Sequence, residues 1–321
     1  MFFIILFLYS PSFFFQIRNG FGKFDMGERQ VSHSFDAFSK ITKISLNGTN
    51  RGLFSYQFLE TEYYQQSQQK DTIAPFMLFE QPQPEFSFIE RLQALWHGVD
   101  NTNVNVIYFR EKDQFAANSD FWVFYELNGT DLNTIGKASQ TVPGNPEMPN
   151  QVPLSSTSHP IKAYRSSDYI SFVAVPGTTP WEQSHINVVR LTSINEHQVI
   201  ASIPRDQVPY MHSFALSQNY AILMGNPAFV NEEMVLLTGN PVTNIDWKPE
   251  LGADIYAVHI HTGRMTKFHT PVAEFNLHAV NAWEEEHQVK TVTLFINAVL
   301  LKIKTRVSVA IIRIVITNSC R

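Results

Sequence analysis

At 321 residues, with 44% hydrophobic and 13% aromatic side chains, the chain carries enough apolar material for one large β domain or two small ones, which excludes a disordered polypeptide. A net charge of -5 and a pI near 6.1, with no Lys/Arg cluster following one face, exclude the electrostatic footprint of a nucleic-acid binder. The lone cysteine, Cys320, excludes a disulfide framework and favours a reducing compartment, so a cytoplasmic location is expected.

Residues 1–16 open the chain with an apolar leader of Phe, Ile, Leu, Ser and Pro. Hydropathy alone suggests a signal peptide, but no positive charge precedes Arg18 and no small-residue cleavage site follows. The composition is what a pyrimidine-rich tract encodes, and Gln16 fits its closing codon, so the leader is expected to be translated intron with coding sequence beginning near Ile17.

From residue 17 to residue 288, short apolar or alternating runs are punctuated by Gly, Pro and Asn, a pattern that predicts an all-β fold. Strands are expected at Ile41 to Leu46, Val104 to Phe109, Tyr169 to Val175, Ala221 to Met224 and Ile255 to Ile260. Turns are expected at Asn47-Gly48, Asn128-Gly129, Pro143-Gly144 and Thr262-Gly263, and the sequons at Asn47 and Asn128 are read as turns. One segment departs from this pattern. Between Pro84 and Gly98, an apolar stripe of Phe86, Ile89, Leu92, Leu95 and Trp96 predicts a short amphipathic helix, packed on the body or lying on a membrane.

Eleven histidines are present, and three stand in distinctive runs. These are Thr157-Ser158-His159-Pro160, Pro209-Tyr210-Met211-His212-Ser213-Phe214 and Phe275-Asn276-Leu277-His278, the last followed by Asn281-Ala282-Trp283-Glu284-Glu285. Many short strands joined by hairpins suit a propeller or a sandwich, and separations of 53 and 66 residues are each compatible with one propeller blade, an arrangement that would place one histidine per blade. Strands of a propeller converge on its axis, so such histidines can share a metal, and neutral imidazole suits iron. His259-Ile260-His261 also shares a strand face, but the following Thr262-Gly263 marks a hairpin, so both belong to a blade edge. His33 is expected to serve packing or hydrogen bonding.

In order, the three runs resemble the ligand motifs of the carotenoid cleavage oxygenases, with the run through Glu285 the strongest match. Further likeness runs from Arg18 to Gly27, from His33 to Phe38 and over Asp246-Trp247-Lys248-Pro249, with Phe21 where the family has Pro and Ala37 where it has Gly. The resemblance implies a seven-bladed β-propeller with Fe(II) on four histidines, three of them His159, His212 and His278, and no catalytic residue beyond the ligands. The family's fourth ligand lies near its C-terminus, and nothing after Glu286 resembles it. The propeller is therefore expected to be incomplete, with residues 17–288 a partial propeller and residues 289–321 a non-family tail from intron read-through after Gln288. Family glutamates support the ligands, and one should fall around Asn118, where Asp120 is the nearby acid.

The activity implied is that of a non-haem iron(II) dioxygenase cleaving a carotenoid or apocarotenoid double bond with dioxygen, impaired in this chain. A lipophilic small molecule is the expected partner, with peripheral membrane contact through Phe86, Ile89, Leu92, Leu95 and Trp96. Two alternatives stay open: a catalytically inactive propeller fragment that binds a lipophilic ligand, and a retinoid isomerohydrolase.

Overall fold

A computed structural model describes residues 5–10, 13–46, 51–147, 155–177, 181–231, 234, 238, 244–285, 288–297 and 306–315. The N-terminal sheet is built from β1 (Ile5–Ser10), β2 (Phe13–Arg18), β3 (Phe21–Lys23), β6 (Phe38–Leu46) and β7 (Gly52–Phe58), with a small hairpin of β4 (Asp25–Met26) and β5 (Arg29–Gln30) beside it. Helices α1 (Glu62–Lys70) and α2 (Phe88–His97) follow. The second sheet holds β8 (Asn105–Phe109), β9 (Gln114–Asn118), β10 (Phe124–Leu127) and β11 (Thr134–Lys137), and the third holds β12 (Ile161–Lys162), β13 (Tyr169–Val175), β14 (Ser184–Leu191) and β15 (His197–Arg205).

The fourth sheet is formed by β16 (Ala215–Leu216), β17 (Tyr220–Gly225), β20 (Ala253–His259) and β21 (Met265–Thr270). Between β17 and β20, the chain makes a two-stranded excursion of β18 (Ala228–Val230) and β19 (Ile245–Trp247). The fifth sheet comprises β22 (Asn276–Glu285), β23 (Gln288–Asn297) and β24 (Arg306–Val315).

The sheets are stacked face to face in chain order, and the sequence of β13 shows why. Every residue of Tyr-Ile-Ser-Phe-Val-Ala-Val is buried, as befits a strand covered on both faces. Alternate residues point opposite ways, so Tyr169, Val173 and Val175 pack with Ile107, Phe109 and Ala116 of the second sheet. Ile170 and Phe172 pack instead with Ala221, Leu223, Tyr256 and Val258 of the fourth. The same logic repeats at both ends of the series. Ile17 and Ile41 meet Val106, Phe115 and Tyr125 between the first and second sheets, while Ala215, Ile222 and Ile255 meet Ala282 between the fourth and fifth. Each fully buried aliphatic or aromatic side chain in these layers contributes roughly 1.5–3 kcal/mol. Serial packing of antiparallel sheets is the propeller arrangement, and all five expected runs lie in strands, with only Val104 and Ile260 one residue outside.

Helix α1 goes beyond the sequence reading. Its segment Glu-Tyr-Tyr-Gln-Gln-Ser-Gln-Gln-Lys has no apolar stripe; the Thr61 side chain caps it, and buried Tyr63 and Tyr64 tie it to Phe38 and Phe76. The expected helix is present as α2, with a capping box between Ser87 and Glu90 and Arg29 bound to the Glu90 carboxylate at 2.6 and 3.0 Å. That pairing with Arg29 holds the Glu90 carboxyl down to about 2. One residue of the expected stripe is corrected: Phe86 precedes the helix and is only 2% exposed, under the Arg29 guanidinium. Leu95 is half-buried, and the apolar surface consists of Phe88, Ile89, Leu92 and Trp96 at 52% to 78% exposure.

Thr262-Gly263 turns β20 into β21 with Gly263 at φ +70°, where an added Cβ would press on the Ile200 carbonyl. At Asn128-Gly129 the Asn128 side chain accepts from the Thr130 amide, but the left-handed residue is Leu132, anchored by its buried side chain. Asn47-Gly48-Thr49 lies outside the described residues. The boundary expected at Gln16 falls inside β2, and the one at Gln288 coincides with the start of β23.

Asp36, beside the Phe38 cluster, is buried and accepts hydrogen bonds from the Phe79 and Glu80 amides at 2.7 and 3.1 Å. Burial raises its carboxyl from 3.8 to about 7, so between these values the folded chain keeps a proton that the unfolded chain releases. The stability this provides is complete below 3.8 and is lost as pH rises through 7, by at most about 1.4 kcal/mol per pH unit. Urea denaturation of the wild type and of Asp36→Asn at several pH values checks this. The wild type's stability relative to the variant should fall as pH is raised from 4 to 7.5, and a constant difference would contradict the assignment.

Candidate metal centre

His159, His212 and His278 occupy equivalent places in three consecutive sheets. His159 lies two residues before β12, His212 three before β16, and His278 is the third residue of β22. Each of these strands is both the first and an edge strand of its sheet, so serial packing brings their beginnings together. The donor nitrogens lie within 4.8 Å of one another, and among the described residues this is the one such gathering of His, Cys, Asp or Glu. The Nε2 atoms of His159 and His212 are 3.0 Å apart, and the three ring centroids are separated by 4.8 to 5.1 Å.

Hydrogen bonds from neighbouring sheets hold this geometry. Pro160 restricts His159 to extended backbone, and the preceding Ser158 is gripped from the second sheet. Its carbonyl accepts from Asn105 and Asn118 at 3.0 and 3.2 Å, and its amide donates to Asp120 Oδ1 at 3.3 Å. The other Asp120 oxygen lies 2.9 Å from His212 Nδ1. Of the two residues considered for supporting a ligand, Asp120 takes that role and Asn118 steadies backbone. Buried Asn226 bonds both the amide and the carbonyl of Asn276, at 2.8 and 3.0 Å, and also the Tyr210 carbonyl at 3.0 Å. Glu284 accepts from Ser217 Oγ and the Asn219 amide, both at 2.7 Å, fastening β22 to the turn between β16 and β17.

Electrostatics favour the neutral form of His159 and His278. Burial, reinforced by neighbouring His212, pushes His159 down to about 3 and His278 down to about 4. Burial alone would raise the Asp120 carboxyl, but the charge of His212 and its hydrogen bond hold it below the usual carboxylate range. Asp120 therefore stays ionised and, as a carboxylate, accepts from His212 Nδ1, so that Nε2 is the His212 nitrogen turned toward His159. Nitrogens on adjacent positions of an ion at about 2.1 Å lie about 3 Å apart, the separation found between the two Nε2 atoms. Donor type, protonation and spacing fit a divalent metal.

Three further histidines stand outside this cluster. His33 stacks on Phe79 at 5.2 Å and accepts from the Phe35 amide, and His259 and His261 flank the β20–β21 hairpin. Asn105, Asn226, Thr157 and Ser213 also hold the site, a role that the sequence does not announce. Thr157 and Ser213 stand within the motifs themselves, whereas nothing local marks Asn105 or Asn226.

The sequence profile described as RPE65, retinal pigment epithelial membrane protein, matches residues 16–310. The carotenoid cleavage dioxygenase 8 homolog B of Oryza sativa subsp. japonica is 20% identical over 289 residues, covering 87% of this chain and 48% of that protein. The mitochondrial carotenoid-cleaving dioxygenase of Homo sapiens is 23% identical over 300 residues, covering 84% and 48%. The chain thus spans about half the length of the curated relatives it matches. Among solved structures, a Synechocystis apocarotenoid oxygenase mutant aligns with a TM-score of 0.71 at 20% identity, covering 89% of this chain and 58% of that one. Its cobalt-substituted counterpart aligns at 0.70, with the same identity and coverage. The fold, the three motifs in order and the profile match across most of its length make this chain a member of the carotenoid cleavage oxygenase (RPE65) family.

Proposed function

We propose that His159, His212 and His278 are ligands of an iron(II) centre, and that this centre serves the oxidative cleavage of a carotenoid or apocarotenoid double bond. The observation that carries the reading is the convergence of three imidazoles, two buried and one half-buried, with Asp120 behind one of them. Iron(II) bound there would supply the activation of dioxygen. The chain's own contribution is to orient three donors, to keep the His212 proton on Nδ1 through Asp120, and to surround the site with packed sheets that limit access of water. A lipophilic polyene and dioxygen are the partners proposed. The names of the relatives support the substrate class.

Membrane contact is proposed through α2, whose exposed Phe88, Ile89, Leu92 and Trp96 form an apolar surface with an aromatic suited to the interface. Phe86 is removed from that surface by its burial. Among the described residues, no helix is long and apolar enough to cross a membrane. The proposed location is cytoplasmic, at a membrane surface.

Anaerobic titration with iron(II) followed by incubation with an apocarotenal and isotopically labelled dioxygen tests the chemistry. The expected result is one iron per chain and formation of two carbonyl products, both lost in His212→Ala. Asp120→Asn should weaken iron binding by roughly 10–100-fold through loss of the His212 orientation. Retention of the polyene with iron bound but no cleavage would favour the binding-only reading, and absence of iron binding would end the metal-centre reading. For the membrane contact, the triple variant Ile89→Ser, Leu92→Ser, Trp96→Ser should float with liposomes about tenfold less than wild type, and equal flotation would contradict it.

A further inference from the structure

We infer that Thr157 and Ser213 are positioning residues that couple the three histidines in series, each hydroxyl reaching from one histidine motif to the backbone of the next. The inference rests on the metal-centre reading above and adds to it the means by which separate sheets keep their ligands in register.

The need arises from the topology. Strands β12, β16 and β22 belong to three different sheets, so no backbone ladder joins one to another. Apolar packing between sheets is non-directional and does not by itself aim a donor atom. A metal site needs its donors held in a defined geometry. Side-chain hydrogen bonds between sheets supply the missing direction.

Thr157 Oγ1 donates to the His212 carbonyl at 2.9 Å and accepts from the His159 amide at 3.0 Å. A hydroxyl has one proton, so its donation is committed to the second motif while its lone pair holds the first. Ser213 repeats the device one sheet further on. Its Oγ donates to the Leu277 carbonyl at 2.8 Å and accepts from the Ala279 amide at 2.9 Å, which brackets His278 on both sides. Both residues are buried, at 1% and 7% exposure, so water cannot readily substitute for the lost oxygen. Displacement of any one sheet is thereby passed to the backbone of the next ligand.

The test compares removal with conservative replacement: Thr157→Val and Ser213→Ala against Thr157→Ser. Cobalt(II) is titrated anaerobically into each full-length chain, and its ligand-field spectrum and the unfolding midpoint of the metal-free chain are recorded. Thr157→Val and Ser213→Ala should each lose about tenfold in cobalt affinity with altered ligand-field bands, while Thr157→Ser stays within about twofold of wild type. Lowered unfolding midpoints with unchanged affinity and spectrum would show a merely structural role and overturn the inference. If wild type binds no cobalt, the metal-centre reading fails, and amide hydrogen exchange decides the coupling by itself. Exchange should quicken about tenfold at Ala279 in Ser213→Ala and at His159 in Thr157→Val, and unchanged exchange there would overturn it.

Discussion

Three imidazoles, two buried and one half-buried, bring their donor nitrogens within 4.8 Å of one another, and this crowding of basic groups organises the middle of the molecule. Protonating one would place a cation in a poorly solvated site beside two other basic groups, which is why burial and mutual repulsion drive His159 and His278 far below the usual range. Asp120 offsets the remaining electrostatic demand by accepting from His212. A group of lone pairs facing inward, backed by one carboxylate, is poorly suited to a dry core and well suited to a cation. The site's composition therefore carries a chemical meaning independent of any relative.

Packing converts a one-dimensional spacing into that geometry. Every central strand of the third sheet presents one face to the sheet before it and the other to the sheet after, so the chain advances one sheet at a time while its first strands stay near a common line. A histidine placed at the start of each first strand reaches the same point in space. Side chains outside the hydrophobic layers then refine the register: Asn226 and Glu284 fasten the fifth sheet to the fourth, and Asn105, Asn118 and Asp120 fasten the third to the second. Apolar layers give the arrangement its stability, and polar cross-links give it direction.

Much of this was legible in the residues because its signals are local. Tyr169 to Val175 reads as a buried strand from its own composition, and the three histidine runs identify themselves by their immediate neighbours. What escaped depends on tertiary context. Helix α1 has the composition of a polar loop and is helical because Tyr63 and Tyr64 are buried elsewhere. Phe86 fits a helical stripe by spacing, yet it lies ahead of the Ser87 cap and turns inward beneath Arg29. Leu132 takes a left-handed conformation that Asn128-Gly129 would have accommodated more easily, since its side chain is held in the core. The choice of Asp120 over Asn118 turns on a single strand-end orientation that no local pattern encodes.

His159, His212 and His278 are proposed to bind one metal ion together. X-ray absorption spectroscopy of the full-length chain loaded anaerobically with iron(II) tests it most directly. Joint ligation gives three imidazole nitrogens at about 2.1 Å around the metal with the multiple scattering typical of histidine, reduced by one imidazole in each single His→Ala variant. A shell of oxygen ligands alone, or one unchanged by those substitutions, would contradict it.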